Sequence, residues 1–181
     1  AGKTTAIRCM LDMIRRDNGI IEIFGKDPQT ESVAVRDLCG YLPGELRLDE
    51  NASVKSILNY LRRLRQGGKD CSAKISQLAS RLDLNLDSKI KNLSKGNKQK
   101  LGIIAAVMHK PKLLLLDEPT SGLDPLVQQI VLELVKEAKQ SGATIFFSSH
   151  VLAEVQSVAD RKTNEQLNQF SVIYFNKVKK N

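Results

Sequence analysis

Residues 113–125 read LLLLDEPTSGLDP, and the rest of the chain is best understood around this stretch. The uninterrupted apolar run at residues 113–116 is typical of a strand buried on both faces of a parallel sheet. Pro119 is expected to end this strand because proline cannot donate a hydrogen bond to a neighbouring strand. Parallel sheets bind their ligands beyond the carboxyl ends of the strands, so Asp117 and Glu118 lie at a candidate site.

The two adjacent acids need not share one role. Successive side chains of a strand point to opposite sides, so we expect Asp117 and Glu118 to face different surroundings. One can hold a hard cation while the other orients or deprotonates a water molecule. The alternative is a strand that simply ends in two solvated carboxylates.

A second candidate site lies at the start of the chain. Residues 1–5, AGKTT, match the end of the phosphate-binding loop G-x-x-x-x-G-K-[ST]. In such a loop backbone N–H groups hold phosphate oxygens, Lys3 supplies a positive charge and Thr4 can reach a magnesium ion. Gly2 is the second glycine of this pattern. The first glycine, the three positions after it and the strand that should precede the loop are all missing from the sequence. We therefore expect a domain that lacks its N-terminal strands.

Composition indicates an ordinary soluble globular domain, with 181 residues, 41% hydrophobic and 27% charged. Aromatic residues are only 4%, which argues against a surface that stacks nucleobases. The net charge of +8 fits nucleic acid or an anionic membrane face, but the basic residues are spread along the chain, which favours a solvated surface. The three cysteines form no metal or disulfide pattern. No apolar run approaches the about 18 residues of a membrane span, so a membrane role requires a partner.

Hydrophobic periodicity predicts helices and strands around these motifs. Helices are predicted over residues 3–15, from Ser53 to Gly67 and Gly68, from Ser72 onward, from Ser94 to Pro111, and from Pro125 to Gly142. Strands are predicted at residues 20–24, 113–116 and 143–147, with shorter apolar segments at 37–42 and 171–175. Residues 53–92 thus form a mainly helical insertion. His109 is interpreted as a packed or solvated side chain that lies favourably near a helix C-terminus.

Two further segments place polar residues at the ends of elements. In residues 92–100, NLSKGNKQK, small and polar residues surrounded by lysines form either an anion site or an ordinary capped basic helix. His150 follows the strand at 143–147, where the chemistry of the first site is expected. As a single feature, such a histidine is more often packed or solvated.

Five segments together resemble, in order, the motifs of the ATP-binding domains of ABC transporters. AGKTT resembles the end of Walker A, LSKGN at 93–97 is similar to the signature LSGGQ, LLLLDEP resembles Walker B, SGLD at 121–124 the D-loop, and SSH ends at the switch histidine. The resemblance extends from residue 1 to about residue 161. LSKGNKQKLG and LDEPTSGLDPL most resemble ATPases of bacterial drug- and antibiotic-exporting systems.

The resemblance implies an α/β P-loop NTPase fold with a mainly parallel core sheet. The ATPase domain would span residues 1–161, with a helical subdomain at about 53–92 and an atypical basic tail at 162–181. It would hydrolyse ATP with Mg²⁺ to drive export through a separate transmembrane permease. The other partner would be a second ATPase domain, in a homo- or heterodimer, with nucleic acid unlikely. The expected location is the cytoplasmic face of the cell membrane.

The resemblance also implies roles for single residues. Glu118 would act as general base, and His150 would contact the γ-phosphate and stabilise the transition state. Thr4 and Asp117 would hold magnesium. ATP would be contacted by Gly2, Lys3, Thr4 and Thr5, and across the dimer by Leu93, Ser94, Lys95, Gly96, Asn97 and Asp124.

Several positions depart from the family pattern. Gly44 stands where the family usually has glutamine, which makes Glu45 a candidate for the metal or water contact. Lys95 and Asn97 replace a glycine and a glutamine of the signature. Downstream of residue 161 the sequence does not resemble the two further strands of the family. The alternatives to an exporter ATPase are a soluble ABC-type ATPase acting on DNA or ribosomes, and an inactive truncated fragment.

Overall fold

A computed structural model describes residues 2–65, 70–158 and 172–173. These residues centre on a four-stranded sheet in the order β1-β2-β3-β4. The strands are β1 Cys39–Leu42, β2 Leu113–Asp117, β3 Thr144–Ser148 and β4 Val172–Ile173. The first three are parallel, whereas β4 pairs antiparallel with β3. The predicted mainly parallel sheet is confirmed, and every residue of β2 and β3 is buried, as the apolar runs indicated.

Helices cover the sheet on both faces. In the described parts of the chain they are α1 Lys3–Met10, α2 Ser32–Leu38, α3 Val54–Arg63, α4 Ser72–Arg81, α5 Lys95–Val107, α6 Pro125–Gln140 and α7 Leu152–Val158, with a short 3-10 turn at Ile90–Asn92. The β2 leucines alternate between two apolar clusters. Leu114 and Leu116 pack with the larger cluster, which contains residues of α3 to α6, whereas Leu115 packs with Ile7 of α1 and Val35 of α2. Each buried leucine contributes about 2 kcal/mol, so both faces stabilise the strand that carries Asp117.

Side-chain caps fix where three helices begin. The predicted helix start at Ser53 is confirmed by a capping box, because Ser53 Oγ accepts the Ser56 N–H at 3.1 Å and Ser56 Oγ accepts the Ser53 N–H at 3.0 Å. The cap at Ser94 is also confirmed, since its hydroxyl accepts the Asn97 N–H at 3.2 Å. Helix α6 begins after Asp124 and ends shortly before Gly142, which has the left-handed φ of 93°.

Residues 3–24 differ from the prediction. The helix predicted over 3–15 ends at Met10, and Asp12 has a left-handed φ of 53°. The strand predicted over 20–24 is wrong, because Ile23 forms only an isolated bridge with Lys26 around a turn in which Phe24 and Gly25 have positive φ. A run of β-branched residues becomes a strand only where a neighbouring strand pairs with it, and the described chain offers none here.

His109 is packed, as predicted, but without a charge that would interact with the helix dipole. It is partly buried, and its Nε2 lies 3.2 Å from the Cys39 carbonyl oxygen. Burial, with a smaller contribution from the charge of Arg65, lowers the pKa of His109 to about 4. The imidazole is therefore neutral at pH 7, so the expected favourable interaction of its charge with the helix dipole is not made.

Some predictions fall on residues that the structure leaves undescribed. These are the helix end at Gly67 and Gly68, most of the tail at 162–181, and the parts of segment 171–175 outside β4. The domain boundaries at 53–92 and 1–161 stay predictions, although α3, α4 and the 3-10 turn all lie within the helical segment. Among the described helices, none combines the length and the apolar character needed to cross a bilayer.

Candidate functional site

The carboxyl ends of β2 and β3 bring Asp117 into contact with two hydroxyl groups. Asp117 is buried and lies in register with Ser148 of the neighbouring strand. Ser148 Oγ donates to Asp117 Oδ1 at 2.6 Å, and Thr4 Oγ1, at the start of α1, donates to Asp117 Oδ2 at 2.7 Å. Two motifs that lie 113 residues apart in the sequence thus meet at one carboxylate.

Glu118 contacts a different pair of side chains. Its Oε1 lies 3.8 Å from Lys3 Nζ, and its Oε2 lies 2.7 Å from His150 Nδ1. An ionised carboxylate can only accept hydrogen bonds, so Nδ1 carries the proton in this contact. The Glu118 side chain is 26% exposed and that of His150 68%, which leaves this end of the pair open to solvent.

The backbone at Glu118 separates the two acids. Glu118 has a left-handed φ of 53°, which is uncommon for a residue with a side chain and recurs at functional sites. Its N–H donates to the Ser148 carbonyl oxygen at 3.0 Å, so the turn after β2 remains attached to the end of β3. The predicted difference in surroundings is observed: Asp117 contacts hydroxyls, whereas Glu118 contacts cationic or ionisable nitrogens.

Gln99, which the sequence interpretation missed, supports this turn from α5. It is 8% exposed, and its Nε2 donates to the carbonyl oxygens of Glu118 and Pro119, both at 3.0 Å. Gln99 stands between Lys98 and Lys100, and the sequence interpretation gave it no role of its own. The signal was Ile103, four residues later on the same side, because it shows that this face of α5 is buried as well.

Glu154 is a second buried polar residue that the sequence interpretation missed. It lies on α7 and is 7% exposed. Its Oε2 accepts hydrogen bonds from Thr120 Oγ1 at 2.8 Å and from Ser149 Oγ at 2.7 Å. Little in the sequence signals this burial, because a single acid on a short helix is usually solvated.

The segment 93–97 packs against the turn at 121–124. A Cβ added to Gly96 would lie 3.1 Å from the Gly122 carbonyl oxygen, and one added to Gly122 would lie 3.5 Å from Lys95 Cδ. Ser94 and Lys95 are nevertheless exposed, and Leu93, Gly96 and Asn97 are partly exposed. Asp124, another predicted ATP contact, accepts the Val127 N–H at 3.1 Å as the N-cap of α6.

Positions 44 and 45 lie differently with respect to Asp117. A Cβ added to Gly44 would lie 3.4 Å from Asp117 Oδ2, so this position borders the carboxylate. Glu45, the predicted extra metal contact, instead has Arg47 Nη2 3.4 Å away and a side chain that is 79% exposed. Tyr41 lies near enough for Asp117 to act on it, since burial and then the Asp117 charge raise the pKa of the phenol.

The phosphate-loop residues lie at the start of α1. Gly2 precedes the helix with a left-handed φ of 99°, which glycine adopts without strain, and Thr5 is exposed on the first turn. The first-turn N–H groups of an α-helix lack partners within the helix and favour anions. With Lys3 and Thr4, this end of α1 is suited to a phosphate group.

The residues at Asp117 fit a magnesium ion. Carboxylate and hydroxyl oxygens are hard ligands, and Mg²⁺ in nucleotide sites is commonly held by one or two carboxylates together with substrate phosphates. In the described part of the chain, no three His, Cys, Asp or Glu residues cluster to form an all-protein cage. An Asp117 with a neighbouring Thr4 hydroxyl is the type of donor set that such a shared site uses.

Sequence comparison relates the chain to proteins of known family. Residues 1–121 match the family described as ABC transporter. The ABC transporter ATP-binding protein NatA of Bacillus subtilis is 34% identical over 164 residues, covering 88% of this chain and 67% of that protein. The bacitracin transport ATP-binding protein BcrA of Enterococcus faecalis is 35% identical over 161 residues, covering 88% of this chain and 52% of that protein. The chain thus spans between about half and two thirds of the length of these relatives.

Structure comparison gives the same result for the fold. A solved ATP binding subunit of an ABC transporter superposes with a TM-score of 0.82 at 30% identity, covering 88% of this chain and 68% of that one. The ATP-binding cassette MJ0796, solved as a dimer in a post-hydrolysis state bound to ADP and Pi, superposes with a TM-score of 0.75 at 19% identity. It covers 87% of this chain and 73% of that one, and it supports the fold alone.

Proposed function

Since this chain belongs to the ABC transporter family, we propose that it is an ATPase whose ATP hydrolysis drives export of a substrate through a separate membrane-spanning subunit. The observation that supports the proposal is that the two adjacent acids at the end of β2 contact different groups. Asp117 is bonded to Thr4 of the phosphate-loop segment, while its neighbour Glu118 contacts Lys3 and His150. Phosphoryl transfer to water needs both a cation site and a base beside the phosphates, and these two acids provide them.

The phosphates of ATP would lie at the N-terminus of α1. The backbone N–H groups of Gly2, Lys3, Thr4 and Thr5 would hold phosphate oxygens, and the Lys3 ammonium would supply charge. Lys3 Nζ lies 3.8 Å from Glu118 Oε1, a contact longer than a hydrogen bond. The lysine would exchange this contact for one with a phosphate oxygen.

Thr4 and Asp117 would hold the magnesium ion. The ion would neutralise charge on the phosphate oxygens when ATP is bound. Ser148 would keep Asp117 oriented, because its hydroxyl donates to Oδ1 and leaves Oδ2 toward Thr4. Glu45 is not needed in this arrangement, since its contact is with Arg47.

Glu118 would take the proton from the attacking water. Its carboxylate lies at a solvent-accessible position beside Lys3, so a water between it and a γ-phosphate would be within reach of the base. His150 holds Oε2 and would turn to the γ-phosphate when ATP is bound, where it would stabilise the developing charge.

The dimer would complete the site. The exposed Ser94 and Lys95, with Leu93, Gly96 and Asn97, would contact the nucleotide of a second subunit, and Asp124 would link the two sites. The helical segment at 53–92 would transmit closure of the dimer to the membrane subunit at the cytoplasmic face of the membrane. A drug- or antibiotic-like substrate is proposed because relatives carry the names bacitracin transport protein and daunorubicin resistance protein. These names favour transport over a soluble role on DNA or ribosomes.

The central experiment replaces Glu118 by glutamine in the full-length protein. This variant should bind ATP and dimerise normally but hydrolyse about 100-fold or more slowly, because the amide cannot accept the proton. Glu133→Gln is the matched control, since Glu133 forms a surface ion pair with Arg81 far along α6. Near-normal turnover of Glu118→Gln would remove the assignment. Stimulation of the ATPase by duplex DNA at physiological salt, rather than by the membrane subunit, would favour the soluble role.

A further inference from the structure

We propose that Glu154 is a positioning residue, which holds the turn that carries His150 beside the turn that carries Glu118. The inference rests on the proposed function, because it concerns the geometry of the same hydrolytic site. No sequence motif of the site includes Glu154, and it is the contacts of its carboxylate that point to the role.

One carboxylate oxygen of Glu154 connects the two turns. Oε2 accepts Thr120 Oγ1 at 2.8 Å and Ser149 Oγ at 2.7 Å. All three residues are buried, so water does not compete for these bonds. The Ser149 hydroxyl in turn accepts the Val151 N–H at 3.0 Å, which fixes the backbone on both sides of His150. Two hydrogen bonds therefore hold the turn that carries His150, and the Thr120 bond links the same acid to the turn after β2.

The two bonded hydroxyls lie next to the two side chains that meet. Thr120 is two residues after Glu118, and Ser149 immediately precedes His150. Glu118 Oε2 and His150 Nδ1 are 2.7 Å apart, although their side chains are partly exposed and have room to move. A buried link between the two turns limits this freedom from behind the site.

Glu154 does not act on the reacting atoms itself. It is 7% exposed and both of its described side-chain contacts are to hydroxyls of the supporting turns. Its removal should therefore change alignment more than nucleotide affinity, which depends on the α1 end and Lys3. Misplacement of a catalytic group by about 1 Å from a distant substitution can cost about 100-fold in rate.

The test uses the full-length protein and compares Glu154→Ala with Glu154→Gln. For Glu154→Ala, kcat per ATP-binding site should fall about 10- to 100-fold, while KM for ATP changes less than about 3-fold. Glu154→Gln should recover most of the rate, because its amide oxygen can accept both hydroxyls. The matched control is Glu133→Ala, an acid on the surface of α6 that should leave both constants unchanged.

A second variant keeps the test decisive if Glu154→Ala fails to fold. Thr120→Val removes one bonded hydroxyl at nearly constant volume and should lower kcat about 5- to 10-fold with KM unchanged. In the Glu154→Gln background it should still lower kcat, since the amide preserves the bond. In a folded Glu154→Ala background it should have almost no further effect, because the bond is already lost.

The outcomes separate the two proposals. Unchanged kcat in Thr120→Val or in a folded Glu154→Ala, or a glutamine variant no better than alanine, overturns the role of Glu154 alone. If Glu154→Ala lowered kcat and ATP affinity to the same extent, Glu154 would have a merely structural role, and the positioning role would also be overturned. A wild-type protein that binds ATP no better than a Lys3→Ala variant and does not hydrolyse it overturns the proposed function as well.

Discussion

Replacing Gln99 by leucine is expected to destabilise the protein by about 2 kcal/mol. Gln99 is 8% exposed and donates from Nε2 to two carbonyl oxygens, those of Glu118 and Pro119. The Glu118 oxygen would keep the Ser121 N–H, which lies 3.2 Å away, so its loss is partial and costs about 1 kcal/mol. The Pro119 carbonyl oxygen would lose its hydrogen bond from Gln99 Nε2, which costs about 1–3 kcal/mol of stability. Burial of the leucine side chain returns about 1 kcal/mol of this.

The assay is urea unfolding of the full-length protein at pH 7. A fall of about 2 kcal/mol in the free energy of unfolding, with an unchanged dependence on urea, is the expected result. Gln128→Leu is the matched control, because Gln128 makes one bond, to the Leu123 carbonyl oxygen at 3.0 Å, from a partly exposed position. It should cost less than about 1 kcal/mol.

Gln99→Glu gives a further check on the same bonds. At pH 7 an ionised carboxylate would face two carbonyl oxygens and should destabilise more than leucine does. Protonation at lower pH supplies one donor, so the difference from leucine should shrink as the pH falls. Equal unfolding midpoints for Gln99→Leu and wild type, or an equal cost at Gln128, would refute the reasoning.

Two further predictions concern buried positions away from the reacting groups. The pKa of His109 is lowered to about 4 in the folded protein, so the unfolded protein binds a proton at this site at higher pH than the folded protein does. The free energy of unfolding should therefore have its full value above pH 6.5 and decrease as the pH falls toward 4. The full effect is at most about 3 kcal/mol, and a His109→Gln variant should lose this part of the pH dependence in unfolding titrations. Gly40→Ala should destabilise by about 3 kcal/mol or more, because its Cβ would lie 2.0 Å from the Ala106 carbonyl oxygen, whereas Gly44→Ala makes only an ordinary contact at 3.4 Å. Equal thermal midpoints for the two alanine variants would contradict this.

The sequence was sufficient to predict those helices and strands that depend on an apolar run or on a hydrogen bond between residues close in the chain. The apolar runs at 113–116 and 143–147 predicted buried parallel strands because a strand covered on both faces needs no polar alternation. Ser53 and Ser94 predicted helix starts because a cap bonds a backbone group only three residues away. The stretch at 20–24 failed because a strand depends on a partner elsewhere in the chain, and periodicity contains no information about that partner.

The candidate site divides in the same way. Thr4 was identified from the phosphate-loop motif, and Asp117, Glu118 and His150 from their positions after predicted strands. The structure brings Thr4 into contact with Asp117, and His150 into contact with Glu118. Whether they perform the proposed roles stays a prediction. Glu45 was named because it neighbours Gly44 in sequence, yet the side chain turns to Arg47 instead.

Gln99 and Glu154 were missed for a common physical reason. A buried amide or carboxylate is tolerated only where its hydrogen bonds are satisfied. The partners of Gln99 and the Thr120 partner of Glu154 lie 19 to 34 residues away in the sequence. Both bond to the turn after β2: Gln99 binds its carbonyl oxygens, and Glu154 binds the Thr120 hydroxyl. Glu118 has a left-handed φ, and the turn that it begins leaves backbone carbonyl oxygens without partners in the β-sheet. Side chains of the surrounding helices must therefore bond them.

The register between β2 and β3 brings the side chains of the site together. Asp117 pairs with Ser148 in the β2–β3 ladder, so the hydroxyl that holds Asp117 and the residues that precede His150 belong to one strand end. A slip of one residue would turn Ser148 to the opposite face and move the whole apolar set of β3 with it. The two apolar clusters that bury β2 and β3 therefore also fix how the turns that carry Glu118 and His150 lie relative to each other. The chemistry proposed for the site depends on that core as directly as on the motif residues themselves.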